Sequence, residues 1–165
     1  MKKIILTLII FSFTLLVGCT LGNTPTSRVE DFLSKHQMLD DDIAIDYTDL
    51  TNDAGIDQDL KTRYEEAIQH QYQDMTYEVK EEAIDGETAT VTVQIEVMNY
   101  KQAFAKYNKN DYELKKYHEL VLDELENTKE MITYTIDFTL TKNDDDTWTV
   151  DELSTEDKQK LLGIN

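Results

Sequence analysis

The chain predicts an α+β fold, helices packed on one face of an antiparallel sheet built from two hairpins. Two stretches carry period two. Ala89, Val91, Val93, Ile95 and Val97 alternate with Thr88, Thr90, Thr92, Gln94 and Glu96, and Ile132, Tyr134, Ile136, Phe138 and Leu140 alternate with Thr133, Thr135, Asp137, Thr139 and Thr141. That is the pattern of half-buried strands. Stretches of helical period precede and separate them. A sheet with one threonine-rich wet face covers its other face with helices.

The first segment reads differently. Met1-Lys2-Lys3 is a positive start, and Ile4 to Val17 is an apolar run broken only by Thr7, Ser12 and Thr14. This is the layout of a secretory signal peptide, too short for the ~20 residues of a spanning helix. The ending Leu16-Val17-Gly18-Cys19 resembles a bacterial lipobox. In that family a diacylglycerol joins the cysteine sulfur and a dedicated peptidase cuts before the cysteine. The resemblance implies a lipoprotein signal peptide over residues 1–18 and acylation (palmitate) at Cys19; the spacer has little to pack and reads as a tether over residues 19–26, and the length left after cleavage suffices for one domain, placed over residues 27–165. The resemblance also implies an address on the outer face of the bacterial cytoplasmic membrane. Two or more acyl chains anchor stably where one does not. The spacer Thr20 to Thr26 reaches at most roughly 25 Å. Cys19 is the sole cysteine, so no internal disulfide forms.

The elements then follow in order. Ser27-Arg28-Val29-Glu30 fits a capping box, and Val29, Phe32, Leu33 and His36 recur at helical spacing. Asp40 to Gly55 is acidic and mixed and reads as loop. A second helix is expected from Gln58 to Gln73, with Leu60, Tyr64, Ala67, Ile68 and Tyr72 on one side. Tyr77 and Val79 open the first hairpin, whose turn carries Asp85-Gly86. A two-residue Asp-Gly turn pairs Val79 with Thr92 and splits the apolar faces. A three-residue loop Ile84-Asp85-Gly86 pairs Val79 with Val91 and Tyr77 with Val93, and burial of one face selects that register. A helical region runs from Tyr100 to Asn127 with a break near Asn108-Lys109-Asn110. Asn110 to Glu113 offers a cap for its second part, striped by Leu114, Tyr117, Val121 and Leu125. After the second strand pattern, Asn143 to Asp146 turns into Trp148 and Val150. Ser154 to Asp157 caps a last helix ending at Gly163.

The fragments "TPTSRVEDFLSKHQ", "TATVTVQIEV" and "ITYTIDFTLTKNDDDTWTVDEL" resemble small tethered lipoproteins of Gram-positive bacteria. Their domain has the nuclear transport factor-like, cystatin-like fold. That resemblance implies a cone, a curved sheet wrapped on helices with a mouth that takes a ligand or partner. Members include isomerases and dehydratases as well as domains without known activity.

Composition narrows the partners. The chain has 165 residues, 34 acids against 16 Lys and Arg, and a formal charge of −18. Cleavage before Cys19 removes two lysines and no acid, taking that charge to −20. Such an acidic chain is repelled by nucleic acid and by anionic lipid surfaces. No cofactor and no metal are expected. His118-Glu119 begins a zinc-protease motif, but Leu122 stands where the second histidine belongs. A calcium loop over Asp49 to Leu60 fails at Ala54 and Leu60. The runs Asp40 to Asp42 and Asp144 to Asp146 read as solvated loops rather than loose cation sites. No serine sits in a nucleophile elbow, and no glycine-rich loop cradles phosphate.

His36 lies on the apolar side of the first helix, while His70 and His118 read as surface residues. Tyr77, Tyr134 and Trp148 point to the helix-covered face, with Glu81 the acid facing inward in the chosen register. These residues, His36 included, are the candidates to line a pocket. The leading expectation is a membrane-anchored, non-enzymatic module for a small apolar ligand or an envelope protein. The alternative is a small isomerase- or dehydratase-like enzyme with an Asp, His or Glu base in the pocket.

Overall fold

The computed structural model describes residues 22–40 and 56–165. The expected signal segment, Cys19 and most of the acidic stretch before Gly55 lie outside the described residues. The fold is α+β, a four-stranded antiparallel meander of order β1-β2-β3-β4 with helices on one side.

Helix α1 spans Pro25–Met38 and begins earlier than its sequence suggests. Thr24, not Ser27, is the N-cap: its hydroxyl accepts from the Ser27 amide, and the Ser27 hydroxyl accepts from the Thr24 amide. Pro25 occupies the first turn, where a missing N–H costs nothing. Helical structure thus includes Pro25 and Thr26, which the sequence reading leaves outside the first helix. Asn23 is already fixed, its Nδ2 donating to the Asp146 carbonyl at 2.9 Å and its Oδ1 accepting from the Trp148 amide at 3.3 Å.

Helix α2 spans Gln58–Asp74, capped by Asp57. Its apolar stripe is shared between two cores. Ile68 and Tyr72 face the sheet with Val29 and Leu33 of α1, whereas Leu60, Tyr64 and Ala67 face a second cluster. That second cluster is built with α3 (Tyr100–Lys106) and α4 (Leu114–Asn127). Helix α4 packs on α2, and α3 packs on α4 with the Tyr100 hydroxyl donating to the Ala67 carbonyl of α2, rather than on the sheet. A 3₁₀ turn, Lys109–Asp111, makes the expected break between them. Glu113 precedes α4 without a side-chain cap bond, so the expected cap there is not formed.

β1 (Thr76–Asp85) and β2 (Thr88–Met98) form the first hairpin in a different register from the expected one. Val79 opposes Val93 and Tyr77 opposes Ile95. The turn is Gly86-Glu87, with Gly86 at φ 63° in the first position, which a type II′ turn reserves for glycine. That turn alone would put Lys80 opposite Val93. A bulge between Val79 and Glu81 absorbs one residue and returns Val79 and Tyr77 to the inner face. One-sided burial is met by a bulge instead of by a longer loop.

β3 (Met131–Lys142) lies beside β2, with Val93 opposite Ile136 and Ile95 opposite Tyr134. β4 is short, Trp148–Val150, and pairs Trp148 with Lys142. Helix α5, Thr155–Leu161, is capped by the Ser154 hydroxyl and ends at Gly163, φ 69°.

Candidate functional site

A cleft of about 540 Å³ opens between α1, β4, the segment after β4 and α5. Helix α1 turns two faces inward. Val29, Leu33 and His36 meet the core, while Arg28, Phe32 and Lys35 run along the flank that borders the cleft. Tyr72 arrives from α2, Trp148 and Val150 from β4, Leu153 from the connection, and Leu161 and Leu162 from the C-terminal helix. The floor is therefore aromatic and aliphatic.

His36 is 9% exposed. Its Nδ1 lies 2.8 Å from the Phe32 carbonyl, so that nitrogen carries the proton and donates. The ring stands edge-on to Tyr72, centroids 5.1 Å apart, and 4.4 Å from the Phe32 ring. Burial holds its pKa below the ordinary histidine value, with the bond to Phe32 opposing.

The rim carries charge of both signs. Lys35 pairs with Asp31 at 3.1 Å, and Lys158 with Glu152 at 2.9 Å. Asp151 accepts from the Thr141 hydroxyl at 3.0 Å. Arg28 differs: among the described residues its guanidinium has no hydrogen-bond or ion-pair partner, and its Nε is buried. Its field reaches Asp145, but that carboxyl is held below the usual range chiefly by hydrogen bonds from Thr147.

Of the five expected pocket residues, His36 and Trp148 meet in this cleft. Tyr77 and Tyr134 do lie on the inner face, flanking Ile95 from either side. They sit at the far end of the sheet, eight residues along β3 from the partner of Trp148, roughly 25 Å of strand. The Tyr134 hydroxyl donates to the Asn165 carbonyl at 2.8 Å. Burial raises the pKa of both phenols. Neither borders the cleft.

Glu81 is a correction. The bulge places it opposite Thr92 on the wet face, not inward. Its neighbour Glu82 takes the inward side instead, and its Oε2 accepts from the amide and hydroxyl of Thr26 at 2.9 and 2.7 Å. An N–H that α1 leaves without a helical acceptor is thereby satisfied.

His118 is a second correction, being 4% exposed rather than on the surface. Its Nδ1 is 2.9 Å from the Tyr64 hydroxyl, and Tyr117 stacks edge-on at 5.2 Å. The buried face of α4 is two residues wide because α2 and α3 both cover it. His70 is exposed, as expected. The run Asp144 to Asp146 forms the β3–β4 turn, Asp145 bonding back to Thr147. Among the described residues, no group of three or more His, Cys, Asp or Glu is placed to hold a metal ion.

Sequence reasoning missed Arg28, Phe32 and Tyr72 as cleft residues. Phe32 and Tyr72 were legible as apolar positions, but their meeting depends on how α1 crosses α2. Arg28 gave no signal beyond standing four residues before Phe32. The chain matches no protein-family model, no curated protein and no solved structure at a significant level.

Proposed function

We propose that this protein is a lipid-anchored extracytoplasmic lipoprotein whose domain is a non-enzymatic binding module for an apolar ligand. The observation that carries the binding reading is the cleft itself. About 540 Å³ is within the size range of small-molecule sites, and the lining joins an apolar surface (Phe32, Tyr72, Trp148, Val150, Leu153, Leu161 and Leu162) to a set of charged side chains of both signs. The signal-like segment and the lipobox resemblance at Cys19 support the anchor. Asn23, fixed beside Trp148, is four residues from Cys19, at most about 14 Å of chain. An anchor there keeps the cleft near the bilayer.

One observation favours the enzyme reading. His36 presents a neutral ring whose Nδ1 is committed to Phe32, which leaves Nε2 as the basic nitrogen. General acid–base work also asks for a partner that orients or complements the base. Among the described residues His36 has no carboxylate partner: the acids of the lining, Asp31, Asp151 and Glu152, are exposed or half-buried and bonded to Lys35, Thr141 and Lys158. The binding reading is therefore the stronger.

Two measurements test it. Wild type should incorporate labelled palmitate and sediment with membranes, whereas Cys19→Ala should do neither and accumulate as uncut precursor. Processing and membrane attachment of that variant as in wild type would refute the anchor. For the cleft, the uncharged dye N-phenyl-1-naphthylamine should quench Trp148, the only tryptophan, saturably. A response that grows linearly with dye would refute the pocket.

A further inference from the structure

Within that binding reading, we infer that the ligand is an anionic amphiphile whose acyl chain lies on the Phe32–Trp148 floor and whose carboxylate or phosphate head meets Arg28. The inference rests on how the rim charges are spent. Three cations and three acids border the cleft in a chain whose formal charge is −18. Lys35 and Asp31 neutralise each other, as do Lys158 and Glu152, whereas Asp151 keeps its charge and accepts from the Thr141 hydroxyl. Arg28 remains as a rim cation without a hydrogen bond or ion pair among the described residues, its buried Nε unmet and only its field reaching Asp145.

An arginine Nε that is buried with no acceptor among the described residues carries an unmet hydrogen-bonding cost. The pattern is what a site leaves open for an oxyanion: its planar fork binds a carboxylate or phosphate through two parallel N–H donors. The apolar floor beginning four residues on, at Phe32, sets the rest of the ligand's chemistry. A fully apolar ligand would use the floor and leave Arg28 unmet. A cation would meet it with repulsion.

The test uses the full chain in uncharged detergent micelles, with Trp148 as energy donor to cis-parinaric acid. Saturable transfer is expected, about tenfold weaker for the methyl ester of the same probe. Arg28→Gln should lower affinity for the acid about tenfold and leave the ester unchanged, while Arg28→Lys should retain part of the preference. Equal melting temperatures for the variants establish that the fold is intact. Dodecanoate and dodecyl phosphate should displace the probe, and dodecyltrimethylammonium should not. The stronger of the two anions tells a fatty-acid source from a phospholipid-derived one. If acid and ester bind alike and Arg28→Gln changes neither, the anionic head is refuted and the apolar pocket stands. If neither probe saturates, the pocket is refuted with it.

Discussion

His36 brings a titratable ring to the floor of the cleft, and its environment fixes how it responds to acid. Burial disfavours the charged imidazolium, so the folded state holds the ring neutral below the pH at which the unfolded chain protonates it. The stability it contributes is complete above about pH 6.5 and declines as pH falls toward the lower folded value, because the unfolded state then binds more protons. For one group the slope is at most about 1.4 kcal/mol per pH unit. His36→Asn keeps a donor for the Phe32 carbonyl but removes the titration. Urea unfolding at steps from pH 7.5 to 5 should give a flatter curve for the variant. Because His70 and His118 are common to both proteins, the difference isolates His36, and superimposable curves would show the ring indifferent to its protonation.

The first hairpin shows how an element reconciles conflicting demands. Gly86-Glu87 makes a tight turn, one-sided burial needs Val79 and Tyr77 inward, and the bulge after Val79 satisfies both. The same bulge aims Glu82 at the start of α1. The central strand has no such latitude. Val93 is fully buried between Val79 and Ile136. Val93→Asp should therefore cost about 3 kcal/mol or more, since it buries an unpaired charge. Thr139→Lys, on the wet face opposite Thr90, should stay within about 0.5 kcal/mol. Thr92 is a poorer control than pattern alone suggests, because its hydroxyl donates to Asp137 at 2.7 Å and an acid there would face an acid. Chemical denaturation of both variants decides; comparable losses would contradict a sheet wet on one side.

At the scale of the molecule, two cores have to be joined, and Gln71 joins them. It is fully buried on α2, between the residues that face the sheet and those that face α3 and α4. Its Nε2 donates to the carbonyls of Met98 and Leu162, and its Oε1 accepts from the Met98 amide, each at 2.9 Å. One side chain thus ties α2 to the end of β2 and to the C-terminal turn. Gly163 belongs to the same joint: a Cβ there would lie 2.0 Å from the Met98 carbonyl oxygen. Gln71→Leu should cost about 3 kcal/mol or more, because it orphans one amide and two carbonyls. A loss below about 1 kcal/mol in urea unfolding would mean that other groups or water take over those bonds.

Sequence alone determined the α+β class, the one-sided sheet and most element positions, because the periods of two and 3.6 follow from backbone geometry and burial. It also determined the inward direction of Tyr77, Tyr134 and Trp148. Only the tertiary structure decided which inward residues meet. Helix crossing brought Arg28, Phe32, His36, Tyr72 and Trp148 to one cleft and left the two tyrosines at the other end of the sheet. The tertiary structure also turned Glu81 outward through a bulge, buried His118 by covering α4 twice, and made Gln71 a joint. Periodicity reports the face a residue occupies; the partners across that face are set by packing between segments far apart in the chain, which no local pattern encodes.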